Sequence, residues 1–278
     1  MELGQYNQLT LSRMVDFGAY LTDDEGNEVL LPKRYLTGDM AMGKSLQVFV
    51  YLDSESRPVA TTETPRAVVG DFALMRVKDV NAVGAFLDWG LTAKDLFVPF
   101  REQRVRMQAG RSYVVHVYLD AATQRIVASA KLDRFVGRTH AHYYHRQRVN
   151  LLVVQRTELG YKVLVENSHW GLIYQNEIYR DVNVGDRLTG YVKQVRPDGK
   201  IDLTLEKIEK MRVDDLAGVI ISHLQEHGGT MTLTDKSSPD DILAAFNCSK
   251  KDFKKALGAL YKQHRITLSG DAVSLSRP

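Results

Sequence analysis

The 278-residue chain is expected to fold as a multidomain, mainly β protein, with three tandem five-stranded barrels followed by a small α+β domain. Three observations carry that expectation. From Asp71 to Leu132, β-branched and aromatic runs alternate with Gly, Pro, Asn and Asp at intervals of roughly 8 to 12 residues, the pattern of a small closed β structure. The same pattern is written three times along the chain, and repeats of this kind set the architecture. Beyond Val213 the apolar spacing changes from the period of a strand to that of a helix.

The first copy runs Met14-Val15-Asp16-Phe17-Gly18-Ala19-Tyr20-Leu21, then Val29 to Pro32, then Gly43 to Asp53. The second aligns as Ala82 to Leu87, Leu96 to Pro99 and Gly110 to Asp120. A third, more diverged, reads Glu158 to Val165, Gly171 to Tyr174 and Val184 to Val195, and ends in the alternating strand Gly199 to Leu205. One glycine sits inside the same strand of each copy (Gly18, Gly84, Gly160), the mark of a bulge or a barrel corner. After Val213 a helix with Asp214 and Asp215 in its first turn stops at Gly228-Gly229. A second helix is capped by Ser238 with Pro239 at its first position, and Ser249 caps a third whose apolar stripe is Phe253, Ala256, Leu257 and Leu260. Arg265 to Leu275 reads as a hairpin closed by Gly270-Asp271, which completes a winged-helix layout. The domains are therefore expected at 1–65, 66–136, 146–210 and 213–278.

Composition narrows the class. Hydrophobic residues at 44% and charged residues at 26% are ordinary globular values. The single cysteine, Cys248, makes no internal disulfide, in keeping with a reducing cytoplasm, and reads as a small buried apolar residue. There is no secretory pattern at Met1 to Asn7 and no run of the ~18 apolar residues that a membrane helix needs, so a soluble cytoplasmic protein is expected. The net charge of +3 hides an asymmetry: residues 1–65 carry 5 Lys/Arg against 10 Asp/Glu, whereas 66–136 carry 11 against 7 and 137–212 carry 13 against 9. An acidic first unit before a basic middle points to a polyanion bound away from the N-terminal barrel.

The Phe17-Gly18-Ala19-Tyr20 and Val184-Gly185-Asp186 elements resemble the S1 RNA-binding domain, an OB-fold barrel. Three OB-fold (S1-like) barrels followed by an α+β winged-helix domain resemble, over essentially the whole chain, the conserved virulence factor B (CvfB-like) family of bacterial RNA-binding proteins. The resemblance implies RNA binding without catalysis, and rings flanking the glycine dipeptide that face outward to stack on bases. Phe17 and Tyr20 match both ring positions; the second copy keeps Phe86 with Val83 at the first, and the third has Leu159 and Lys162. The third copy is rich in other rings: Tyr161, Trp170, Tyr174, Tyr179 and Tyr191. Stacking is worth about 1–3 kcal/mol per base. The best ring pair lies in the acidic copy, however, and phosphate neutralisation commonly supplies the non-specific affinity. Charge decides the matter in favour of a track across the second and third barrels, using Phe86, Arg111, Arg125, Tyr161, Trp170, Lys193, Arg196 and Lys200. The first barrel, with Phe17 and Tyr20, is then a structural or partner-binding copy. On the third C-terminal helix Lys251 and Lys255, with Lys250, Lys254 and Lys262, lie off the apolar stripe and suit backbone contact. That helix offers no arginine for bidentate base reading, so a DNA-binding regulator acting through the winged helix ranks second.

Two motifs carry little weight. Gly38-Asp39-Met40-Ala41-Met42-Gly43-Lys44-Ser45 spells a phosphate-binding loop, but such a loop needs a helix after it, and Leu46 to Leu52 is a β run. An NTP-dependent enzyme using Lys44 therefore ranks third. His140, His142 and His145, set among Arg134, Arg138, Arg146 and Arg148, share no single regular geometry and lack a nearby carboxylate or cysteine. No metal, cofactor or catalytic residue is expected. Single-stranded RNA is the expected partner, and no membrane is.

Overall fold

The computed structural model describes residues 1–137, 139–178, 181–205, 213–246 and 248–276. Arg138 and Tyr179 lie outside the described residues. The chain divides into two compact units, Met1–Val136 and Gly137–Pro278, each described by itself.

The first unit holds two barrels of one design. In the first, β1 (Tyr6–Val15), β2 (Gly18–Thr22), β3 (Glu28–Pro32), β4 (Ser45–Leu52) and β5 (Pro58–Thr61) close in the order β1-β2-β3-β5-β4. The parallel contact of β3 with β5, at Leu30 and Val59, is the closing seam. The second repeats that order with β6 (Phe72–Val80), β7 (Gly84–Leu87), β8 (Leu96–Pro99), β9 (Ser112–Leu119) and β10 (Ile126–Ser129), with β8 and β10 lying side by side at its seam. Alternation sends Leu9, Leu11, Ala19, Leu21 and Leu31 into the first core, and Ala85, Leu87, Leu96 and Val98 into the second.

Each barrel has a register shift in its first strand, at Leu11/Arg13, Val77/Asp79 and Val153/Gln155. The extra residue sharpens the bend that closes the sheet. The repeated glycine works opposite it, by letting a neighbouring strand come close. A Cβ on Gly18 would sit 2.2 Å from the Leu31 carbonyl oxygen, one on Gly84 2.4 Å from that of Val98, and one on Gly160 2.0 Å from that of Ile173. Backbone cannot retreat as a side chain can. Gly84→Ala is therefore expected to lose about 1–3 kcal/mol of stability, the usual cost of overpacking, in a urea titration of the whole chain.

The first barrel keeps its own interior, and its outer face extends the core of the second. The outer face of β4 and β5 offers Phe49, Tyr51 and Val59, which pack on Trp89 and Ala67 of the second copy. The Trp89 ring meets Phe49 edge-on at 5.5 Å, and its Nε1 donates to the Ala67 carbonyl at 2.8 Å. A half-buried ion pair finishes the second barrel, where the exposed Arg134 donates to both oxygens of the buried Glu102 at 2.7 and 2.8 Å.

The second unit opens with the third barrel: β11 (Arg148–Thr157), β12 (Gly160–Val165), β13 (His169–Tyr174), β14 (Arg187–Val195) and β15 (Ile201–Thr204), closed in the same order through the parallel pair Leu172 and Asp202. The winged helix follows, with α1 (Val213–Glu226), β16 (Thr230–Met231), α2 (Pro239–Phe246), α3 (Lys250–Lys262), β17 (Ile266–Ser269) and β18 (Ala272–Leu275). Ser249 caps α3 by accepting from the Asp252 amide at 3.2 Å, and Ser238 does the same for α2 from Asp241 at 3.1 Å. The wing has three strands in the order β16-β18-β17 rather than the expected two. The added strand is only Thr230 and Met231, too short to show a period in the sequence. Cys248 is buried beside Phe246 and Phe253 in this domain's core, and burial pushes its thiol up to about 11.

Candidate nucleic-acid interface

Corresponding positions on three neighbouring strands of each barrel are brought into line by the pairing registers. Tyr20 pairs with Leu30, and Leu30 with Val59, in the first. Phe86 pairs with Phe97 in the second, where Val127 joins them. Lys162 pairs with Leu172, and Leu172 with Asp202, in the third. One fold thus presents three different surfaces.

The second barrel presents an aromatic one. Phe86 and Phe97 stand half-exposed with centroids 5.1 Å apart, where a base finds two adjoining ring faces. They line a pocket of about 260 Å³ with Lys94 and Arg125. Lys94 Nζ donates to the Asp53 carbonyl at 3.1 Å, and Arg125 Nη2 to Ser56 Oγ at 3.2 Å. Among the described residues neither cation is in an ion pair. Burial, and next the charge of Arg125, lower the Lys94 pKa. The two carboxylates at the pocket are committed elsewhere, Asp53 to Arg57 at 2.8 Å and Asp95 to Lys78 at 2.7 Å. Arg111 is exposed at the turn before β9 and is not part of this pocket. Phe97 and Lys94 were not singled out in the sequence. For Phe97 the signal was present, because alternation through Leu96-Phe97-Val98 puts the ring outside.

The first barrel's rings are differently placed. Phe17 is 59% exposed, whereas Tyr20 is covered by the Arg13 guanidinium 3.8 Å above its ring, itself paired with Glu28 at 3.1 Å. A base stacking on that face of Tyr20 has to displace the arginine.

In the third barrel Trp170 and Tyr174 point outward from β13, and Lys162 Nζ lies 3.6 Å over the Trp170 ring. Tyr161 requires a correction. It is only 8% exposed and packs in the barrel core with Val163 and Val165. It occupies the register of Ala19 and Ala85, both inward, so alternation turns it away from any ligand. Lys193 is half-buried on β14, and its carbonyl accepts from His145 Nδ1 at 2.7 Å. Arg196 is held 3.0 Å from the buried Asp202, and Lys200 3.1 Å from Asp198, so both offer less charge to a phosphate than sequence counting implies. Asp202 also accepts from Gln194 at 2.6 Å.

On α3, Lys251 and Lys255 are exposed, as are Tyr261 and Lys262, while Lys254 approaches Asp235 at 3.5 Å. Lys44 pairs with Asp39 at 2.7 Å, and Ser45 opens β4, so no helix follows the glycine-rich loop. His140 and His142 are exposed, and no group of three or more His, Cys, Asp or Glu among the described residues is placed to hold a metal ion. His169, unremarked in the sequence, is instead buried and braced between Tyr143 Oη at 3.0 Å and the Thr139 carbonyl at 2.9 Å. Among the described residues no helix is long and apolar enough to cross a membrane.

Comparison with known proteins agrees with this architecture. Residues 3–63 match the S1 domain and residues 218–275 the CvfB-like winged helix domain. The chain is a homologue of conserved virulence factor B. It is 22% identical to conserved virulence factor B of Staphylococcus aureus over 92% of this chain and 88% of that one. Against the uncharacterised Bacillus subtilis protein YitL it is 29% identical over 96% and 91% of the two chains. A crystal structure of a multidomain protein with nucleic acid binding domains from Streptococcus pneumoniae is 27% identical over 98% of each chain, with a TM-score of 0.42. The chain thus joins an S1 module to a CvfB-like winged-helix module.

Proposed function

We propose that this protein binds single-stranded RNA without catalysing a reaction, and that it acts in post-transcriptional control of gene expression, virulence-type regulation included. The observation that carries this reading is the pocket of the second barrel, where two half-buried phenyl rings adjoin two cations that form no ion pair among the described residues. Rings stack on any unpaired base, and cations attract the backbone that links the bases. Trp170 supplies a second, separate stacking position in the other unit, on the face that Lys162 does not cover or after Lys162 is displaced. Phe17, Lys193, Lys251 and Lys255 are accessory contacts in this reading, and Tyr20, Arg196 and Lys200 contribute only after giving up their internal partners.

Titrating a labelled single-stranded RNA at about 50 and about 200 mM salt tests it. Binding through roughly four phosphates gives a log–log slope of about −3, at about −0.7 per contact on single strands. Undetectable or salt-insensitive binding defeats the proposal. The exposed Lys251 and Lys255 on α3 favour a second reading, docking of that helix on duplex DNA. A protein that prefers duplex DNA to single-stranded RNA, and loses that preference on joint replacement of Lys251 and Lys255 by alanine, supports the second reading over the first.

A further inference from the structure

The pocket beside Phe86 is not made by one barrel. Its rings and both cations come from the second copy, but Asp53 and Ser56 reach it from the turn between β4 and β5 of the first. That turn lines the same pocket as Phe86 and Phe97 and so bounds it on the first barrel's side. A strand laid over the face therefore ends, or turns back, at this wall.

Size and charge agree with an end. About 260 Å³ takes one base with its phosphate rather than a run of nucleotides. Lys94 and Arg125 converge on this one pocket, and their only hydrogen-bond partners among the described residues are the uncharged Asp53 carbonyl and the Ser56 hydroxyl. An internal phosphodiester brings a single negative charge. A terminal monoester brings about −1.5 to −2 at neutral pH, with three acceptor oxygens that form strong charge-assisted hydrogen bonds.

We propose that this seam is an end-recognition site, which takes the terminal nucleotide of an RNA strand with its base against Phe86 and Phe97 and its phosphate monoester between Lys94 and Arg125. The proposal rests on the reading that the second barrel binds single-stranded RNA, and adds which part of the strand enters. The first barrel then has a function that its acidic charge conceals: it supplies the wall that makes the site terminal.

The test is equilibrium binding of the full chain to one RNA sequence in three forms, with a 5′-monophosphate, with a 3′-monophosphate, or with hydroxyls at both ends. One phosphorylated form is expected to bind about tenfold more tightly than the hydroxyl-ended strand, and the preferred form identifies which end is read. Lys94→Met and Arg125→Gln are each expected to abolish the preference, and Lys94→Arg to retain it. Equal affinity for the three RNAs overturns the proposal while leaving single-strand binding intact. A preference that survives both Lys94→Met and Arg125→Gln overturns it too. If none of the three RNAs binds, the single-strand reading falls and the proposal falls with it.

Discussion

Trp89→Ala is expected to destabilise the first unit by about 3–5 kcal/mol, the range for removing a buried aromatic side chain. Trp89 is 1% exposed and sits where the outer face of the first barrel meets the second, against Phe49 and Tyr51. Truncation leaves a cavity that two curved sheets cannot close, and deprives the Ala67 carbonyl of its 2.8 Å indole donor. Trp89→Phe fills most of the volume but not the hydrogen bond, and is expected to cost less than half as much. Urea unfolding of the whole chain checks both. A loss below about 1 kcal/mol for the alanine variant means that the two barrels do not depend on this contact.

That seam shows where sequence reading ends. The barrels were legible because alternating strands and turn residues recur three times, and local pattern is enough to specify a small closed sheet. Packing of one barrel's exterior on the next is a long-range fact. Its trace was nonetheless present: Val48-Phe49-Val50-Tyr51 is apolar without a break, and a strand that stops alternating is buried on both faces. The acidic first copy buries Phe49, Tyr51 and Val59 against the second, a contact that its charge count does not reveal. Ring content alone points to Tyr161, whereas strand register turns it into the core. Arg196 and Lys200 were overvalued because Asp202 and Asp198, close in sequence to both, hold them. Lys94 gave no local signal at all, since its significance comes from a turn 41 residues earlier.

Phe86→Ala and Arg125→Ala are expected to weaken RNA binding in different ways, and the difference is the sharper test. Removing the phenyl ring takes away a stacking surface, worth about 1–3 kcal/mol or roughly five- to 150-fold in affinity. No phosphate contact goes with it, so the salt slope stays unchanged. Removing Arg125 returns counterions to the strand and flattens that slope by about 0.7. Phe97→Ala added to Phe86→Ala is expected to cost less than the sum of the single changes, because the rings adjoin at 5.1 Å and serve one base. Anisotropy titrations of the three variants at several salt concentrations read out all of these effects. If Phe86→Ala and Arg125→Ala change the slope alike, or if the ring losses add in full, then the rings and the cation are not dividing base and backbone between them.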